Sequence, residues 1–254
     1  MSQKRLFGLI GYPLGHSFSK KYFSEKFEKL GIQTENEYDL FELKEIQDFP
    51  KLIESHQKEL RGLNVTIPHK ENIIPYLDKL DPAAREIGAV NTIKILPDGK
   101  LKGYNTDYWG FRNTLEKWDQ FKKIKDRSAL ILGQGGASKA IIIALKDLGI
   151  DVIKVSRKES IDCISYEQIP NFIKQVGLIV NCTPLGMYPN IDSYPSLPYE
   201  SLNENHFLYD IVYNPLETAF LKKGLESGAG GVFYGLPMLH GQAEKAWEIW
   251  NHTT

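Results

Sequence analysis

The sequence predicts an α/β protein of two domains, the first built on a mixed sheet and the second on a doubly wound parallel sheet. Three observations lead there. Strand-like and helix-like segments alternate along almost all of the 254 residues, the pattern of sheets covered by helices. In the first half, Pro97-Asp98-Gly99 separates two strand-like runs, and the glycine supplies the positive φ that a tight antiparallel hairpin needs. In the second half the strands are continuous apolar runs such as Ala129-Leu130-Ile131-Leu132, as in a parallel sheet buried on both faces.

In order, residues 6–10 read as a short buried strand and 19–30 as a helix closed by Gly31. Residues 36–41 form a second strand, 43–56 a second helix and 62–66 a third strand, and 90–95 with 100–104 form the hairpin. Residues 128–132 open the second block, followed by a helix over 136–148 with Gly149 as its C′ residue. Residues 151–155, 178–180 and 207–212 supply further strands. The last helix, 237–250, sets Leu239, Ala243, Ala246, Trp247 and Trp250 near one face. The chain divides near 105–127, and the final helix packs back on the first domain. The expected domains are 1–106 plus 233–254, which is discontinuous, and 107–232.

Composition narrows the function. Apolar residues make up 42% of the chain, and at this size roughly 70–75% of the unfolded surface can be buried without a disulfide or metal staple. The 31 basic and 32 acidic residues leave a net charge of −1, which disfavours a nucleic-acid backbone or an anionic membrane as partner. No run approaches the roughly 18 apolar residues of a membrane span, and Gly11-Tyr12-Pro13 ends the N-terminal apolar piece too early for a signal peptide. The two cysteines, Cys163 and Cys182, form no CxxC, and the six histidines form no HExxH. No metal site is expected, and a reducing, cytoplasmic setting is.

A dinucleotide site is the sharpest local signal. Leu130 to Lys139 runs from a strand through Gly133-Gln134-Gly135-Gly136-Ala137 into a helix. Gly133 permits the tight turn, Gly135 lets backbone amides approach a pyrophosphate, and the helix N-terminus offers free N–H groups. Such a Rossmann-like fingerprint ends in Gly or Ala, whereas Ser138 stands there in this chain, so an ordinary glycine turn is the competing reading. Where an NAD site places an acid about 20 residues past the first glycine, this chain has Ser156-Arg157-Lys158. Two cations in place of the acid suit the 2′-phosphate of NADP; the alternative is a solvated basic loop.

Polar clusters stand at the ends of elements in the first half. Thr66 and Lys70 stand at the C-terminal end of the third strand, Asn91 lies in Gly88-Ala89-Val90-Asn91-Thr92, and Asp107 closes Asn105-Thr106-Asp107. Taken singly, Asn91 suits a turn, Asp107 a helix N-cap, and Lys70 with Asp107 a surface ion pair.

Together these segments resemble the shikimate dehydrogenase family along essentially the whole chain. The matching pieces are Gly15-His16-Ser17-Phe18-Ser19, Asn64 through Lys70, residues 88–92, Asn105-Thr106-Asp107, Gly133 through Ala137, Tyr209 through Pro215 and Gly235 through Gln242. The resemblance implies reversible, NADPH-dependent reduction of 3-dehydroshikimate to shikimate, in the chorismate route to aromatic amino acids. It implies that Ser17 and Ser19 bind the substrate carboxylate, and that Thr66, Asn91, Tyr213 and Gln242 hold the carboxylate or ring hydroxyls. Lys70 and Asp107 match the family's catalytic pair and also contact substrate. Gly133, Gln134, Gly135, Gly136, Ala137, Ser156, Arg157, Lys158 and Thr183 match the cofactor loops, and Ile211, Gly235 and Met238 border the nicotinamide. The implied partner is a small molecule, bound by a monomer or homodimer.

Four features depart from the family's pattern. Lys20 replaces a proline, Tyr108 replaces the glycine after Asp107, Ser-Arg-Lys replaces Asn-Arg-Thr in the cofactor loop, and the C-terminal extension after the last helix is short. Two other functions share most of these motifs: a sister enzyme preferring quinate, and a non-catalytic NADP-binding regulator. The Ser17/Ser19 pair and the missing acid near Ser156 favour shikimate and NADP over the first. Retention of Lys70 and Asp107 disfavours the second, since a sensor needs no proton donor.

Overall fold

The computed structural model describes residues 4–15, 17–124, 128–157 and 159–252. It divides into two compact units, 1–106 with 243–254 and 107–242. The Lys158 position of the cofactor loop lies outside the described residues.

The first unit carries β1 (Arg5–Gly11), α1 (Phe18–Leu30), β2 (Asn36–Glu42), α2 (Phe49–Ser55), β3 (Leu60–Val65), β4 (Lys79–Leu80), α3 (Pro82–Ile87), β5 (Thr92–Ile95) and β6 (Leu101–Tyr104). The sheet order is β2-β1-β3-β5-β6-β4. β1 pairs in parallel with β2 and β3, whereas β5 is antiparallel to both β3 and β6. Gly99 at the hairpin has φ 82°, the left-handed conformation that a side chain opposes. The mixed sheet is therefore observed.

The helix expected over 43–56 is shorter. Its start is a 3-10 turn over Ile46–Asp48, and α2 begins only at Phe49. Pro50 has no N–H to bond back into a preceding α-turn, so it stands in the first turn of a helix rather than inside one.

Apolar residues line both faces of the first sheet. On one face Ile10, Leu63, Ile73 and Ile93 are fully buried. On the other, Phe7, Phe23 and Phe27 pack with Ala243, Ala246 and Trp250 from the end of the chain. Phe23 stacks on Tyr38 at 4.6 Å between ring centroids, and the Trp250 indole N–H donates to the Ile93 carbonyl at 3.0 Å. A side chain at Gly62 would run into that indole, so close approach requires glycine there.

The second unit contains most of α4 (Thr106–Glu116), then α5 (Phe121–Ile124), β7 (Ser128–Leu132), α6 (Gly136–Asp147), β8 (Val152–Ser156), β9 (Ile164–Ser165), β10 (Val176–Asn181), β11 (Phe207–Asp210), α7 (Ala219–Glu226), β12 (Gly231–Phe233) and the first part of α8 (Leu236–Asn251). All its strands are parallel, in the order β12-β11-β10-β7-β8-β9. The chain winds outward from β7 to β9 on one side and from β10 to β12 on the other. The reversal between β7 and β10 is the switch point at which doubly wound sheets bind ligands, beyond the carboxyl ends of the strands. Leu130, Leu132, Val155, Ile179, Leu208 and Phe220 are fully buried in its core.

Candidate active site

In the first unit, candidate residues gather where β1 and β3 end. Ser17 is the N-cap of α1, and its Oγ accepts the Ser19 N–H at 3.2 Å. Both serines therefore lie at the positive end of a 13-residue helix, a favourable place for an anion. Thr66 follows β3 and donates its N–H to the Ile10 carbonyl at 2.9 Å, which joins the two strand ends. Lys70 is held through its own carbonyl, which accepts the Val90 N–H at 2.7 Å, so the segment leading to Asn91 is docked on Lys70.

A buried network orients these groups. Asn91 Oδ1 accepts the Thr106 N–H at 2.7 Å and the Thr92 hydroxyl at 3.1 Å, which fixes which side of the amide is the donor. Asn64 Nδ2 donates to Thr92 Oγ1 at 3.2 Å, and Asn64 Oδ1 accepts the Tyr38 hydroxyl at 2.8 Å. Burial pushes the Tyr38 phenol far above the ordinary tyrosine range, the neighbouring Ser19 hydroxyl acting in the opposite sense. Thus Tyr38 and Asn91, distant in sequence, sit at two ends of one chain of hydrogen bonds through Asn64 and Thr92. Neither Tyr38 nor Asn64 has a role of its own in the sequence pattern; a tyrosine and an asparagine inside strands give a signal only once pairing is known. The same holds for His69. It is buried, its Nε2 lies 2.6 Å from the Leu43 carbonyl, and it anchors the turn between Thr66 and Lys70.

In the second unit, Asp107 is buried in the first turn of α4. It stands inside the helix rather than at its N-cap, and an acid there is favoured by the helix dipole. The glycine turn after β7 has Gly133 at φ 91°. A side chain at Gly133 would also meet Thr183. Gly135 precedes α6 with no side-chain cap, and the space into which its Cβ would point is open. That open cradle, together with the first amides of α6, which the helix itself cannot pair, fits a pyrophosphate. Ser138, the residue at odds with the fingerprint, is buried and donates its hydroxyl to the Gly135 carbonyl at 2.6 Å. Gln134 is turned back, its Nε2 donating to the Val155 carbonyl at 3.2 Å, which ties the turn to the end of β8. Arg157 is exposed just past β8 and carries no ion pair among the described residues. These groups fit a dinucleotide with an extra phosphate.

The loops after β10 and β11 complete this edge. The Thr183 hydroxyl and N–H both donate to Asn181 Oδ1, at 2.7 and 3.0 Å. A Cβ at Gly235 would strike the Ile211 carbonyl, so glycine is what lets the start of α8 approach the β11 loop. Met238 is buried, Gln242 Nε2 donates to the Leu239 carbonyl at 3.1 Å, and burial raises the Tyr213 phenol.

Asp210, at the end of β11, is fully buried. Burial pushes its carboxyl up to about 7 from 3.8, against the opposing effect of donors on Thr218, Val212 and Asn181. Between those two values the unfolded chain has lost this proton and the folded chain has kept it, so rising pH costs stability; above about 7 the loss is complete. Asp210→Asn cannot ionise. Its Tm relative to wild type is expected to climb from pH 4 to pH 7 and stay level beyond, as differential scanning fluorimetry across buffers would record. A Tm difference independent of pH would contradict this.

Comparison with known proteins decides the kinship. Residues 9–93 match the family model described as shikimate dehydrogenase substrate binding domain. The chain is 45% identical over 255 residues to a Clostridium beijerinckii protein named shikimate dehydrogenase (NADP(+)), covering 96% of this chain and 91% of that protein. The chain belongs to the shikimate dehydrogenase family. A chorismate mutase/shikimate 5-dehydrogenase fusion protein from Clostridium acetobutylicum superposes with TM-score 0.86 at 37% identity, covering 99% of this chain and 92% of that one. The shikimate 5-dehydrogenase of Thermus thermophilus, in complex with NADP(H) and shikimate, gives 0.80 at 31% identity, covering 97% and 93%.

Two departures from the shikimate dehydrogenase pattern have structural explanations. The Tyr108 ring is buried and its hydroxyl donates to Asp147 Oδ2 at 2.7 Å while accepting from Arg112 at 2.9 Å. The bulk thus serves to join α4 to α6. Lys20 pairs with Asp39 at 2.7 Å, an exposed contact between α1 and β2 that contributes little.

Proposed function

We infer that the chain catalyses the reversible, NADP-dependent interconversion of shikimate and 3-dehydroshikimate, a step of chorismate and aromatic amino-acid biosynthesis. The observation that carries this is kinship over nearly the whole length with proteins named shikimate dehydrogenase (NADP(+)). Lys70, Asp107 and Arg157 are all present. Most of the substrate contacts belong to the first unit, in keeping with the family match over 9–93, and the cofactor to the second.

NADPH, when bound, supplies the hydride that reduces the C3 carbonyl. Negative charge then develops on the carbonyl oxygen, and a proton donor there is worth about 10²–10⁴ in rate. Lys70 Nζ is that donor. Asp107 accepts a hydrogen bond from a ring hydroxyl. Ser17 and Ser19, at the positive end of α1, take the substrate carboxylate; Thr66, Asn91, Tyr213 and Gln242 hold the carboxylate or hydroxyls. Gly133 to Ala137 receive the pyrophosphate, Ser156 and Arg157 the 2′-phosphate side, and Thr183, Ile211, Gly235 and Met238 the remainder of the cofactor. The chain acts on small molecules in the cytoplasm as a monomer or homodimer. Two free thiols and a near-neutral charge support that setting.

Initial rates with shikimate and quinate, each against NADP and NAD, test the assignment. Shikimate with NADP is expected to lead, with quinate at least about tenfold lower in kcat/KM, a difference of about 1.4 kcal/mol in transition-state binding. Equal or faster turnover of quinate would overturn the substrate assignment.

A further inference from the structure

Asn181 and Asp210 end adjacent parallel strands and are register partners at the last position of the β10–β11 pairing. Both are fully buried. Asn181 Nδ2 donates to Asp210 Oδ1 at 3.0 Å and to the Leu185 carbonyl at 3.2 Å. Its Oδ1 accepts both Thr183 donors, at 2.7 and 3.0 Å. The amide's hydrogen-bonding capacity is therefore used up within the turn after β10 and on Asp210. Asp210 spends its own capacity on the loop after β11. Oδ1 also accepts the Val212 N–H at 3.0 Å, and Oδ2 accepts the Thr218 hydroxyl at 2.6 Å, Thr218 being the N-cap of α7. The main chain adds one more link, from the Ile211 N–H to the Asn181 carbonyl at 3.2 Å.

This pair thus joins two loops that otherwise leave the sheet independently. One carries Thr183, whose methyl lies over Gly133 in the glycine turn; the other carries Ile211 and Tyr213. We propose that Asn181 and Asp210 are positioning residues for cofactor binding, holding the Thr183 turn and the Ile211–Thr218 loop in one register before NADP arrives. The inference rests on the reading of this edge as the NADP site. Pre-ordering two loops removes that ordering cost from binding. The network's burial makes it all-or-none, because losing one partner strands the other's polar atoms away from water.

The test is calorimetric titration of the intact folded protein with NADP, well below its Tm. Asn181→Ala and Asp210→Ala are each expected to weaken NADP by about tenfold or more, and the double variant no further than the weaker single one, as for residues acting as a unit. Asp210→Asn keeps an oxygen for Asn181 and Val212 and is expected to restore affinity to within about threefold of wild type. A purely structural role would lower Tm and leave NADP affinity of the folded protein unchanged in both alanine variants; that result, or additive losses in the double variant, overturns the proposal. Should both alanine variants fail to fold, Thr218→Val removes a single bond of the network, and unchanged affinity in it overturns the proposal as well. Arg157→Ala separates this from the underlying reading. If it leaves NADP affinity unchanged, the reading of the phosphate site fails; if it weakens NADP while the network variants do not, only the positioning role fails.

Discussion

Lys70→Ala is expected to lower kcat by at least about 10², the low end of what general acid catalysis supplies. The reduction places a full negative charge on the substrate oxygen unless a proton arrives with the hydride, and Lys70 is the group assigned to deliver it. Alanine leaves water as the alternative donor. An interaction made only in the transition state lowers kcat and kcat/KM together, so the shikimate KM is expected to move much less than kcat. The fold should survive, because the Lys70 main chain, through its bond to Val90, is what holds the segment. The check is kcat at saturating shikimate and NADP, with circular dichroism confirming the fold. A folded variant keeping more than about a tenth of wild-type kcat, far above the general acid range, would mean that Lys70 only binds.

Arg157→Ala is expected to raise the NADP KM by about tenfold or more while the weaker NAD reaction stays nearly unchanged. Hydrogen bonds to charged groups contribute about 1.5–3 kcal/mol, and the exposure of Arg157 argues for the lower end of that range. The selectivity follows from chemistry. The 2′-phosphate is what distinguishes NADP from NAD, and the acid that would bind a ribose diol is replaced here by Ser156 and Arg157. The effect should also shrink at high salt, which screens an exposed pair. Parallel KM measurements for both cofactors check it; equal weakening of NADP and NAD would make Arg157 a structural residue.

What the sequence disclosed and what it hid differ by range. The glycine turn was legible because strand, Gly133 and helix are contiguous, and the positive φ there is a local property. The hairpin at Gly99 was legible for the same reason. The second helix is shorter than the 43–56 expected because proline confines a helix start to its own neighbourhood, and Pro50 sets that start at Phe49. Asp107 sits one residue inside α4 because the helix N-terminus is taken over by Asn91, whose Oδ1 accepts the Thr106 N–H. That contact depends on the β5–β6 register, which no local pattern carries. The same holds for Asn181 and Asp210, 29 residues apart, and for Tyr38 and Asn64, 26 apart. Tyr108 is instructive in another way. It reads as a bulky intrusion beside Asp107, yet its partner Arg112 lies one helical turn on and Asp147 is on another helix. The residues proposed to touch ligand lie in contiguous motifs; the residues that hold them in place do not, since their signal is spatial.

The most direct test of the central claim is a single progress experiment on the wild-type protein with shikimate and NADP, following nicotinamide reduction by absorbance and the organic product by mass spectrometry. The account predicts NADPH and 3-dehydroshikimate appearing mole for mole, with no NADPH when shikimate is left out. Binding of both NADP and shikimate without any NADPH formed would contradict it.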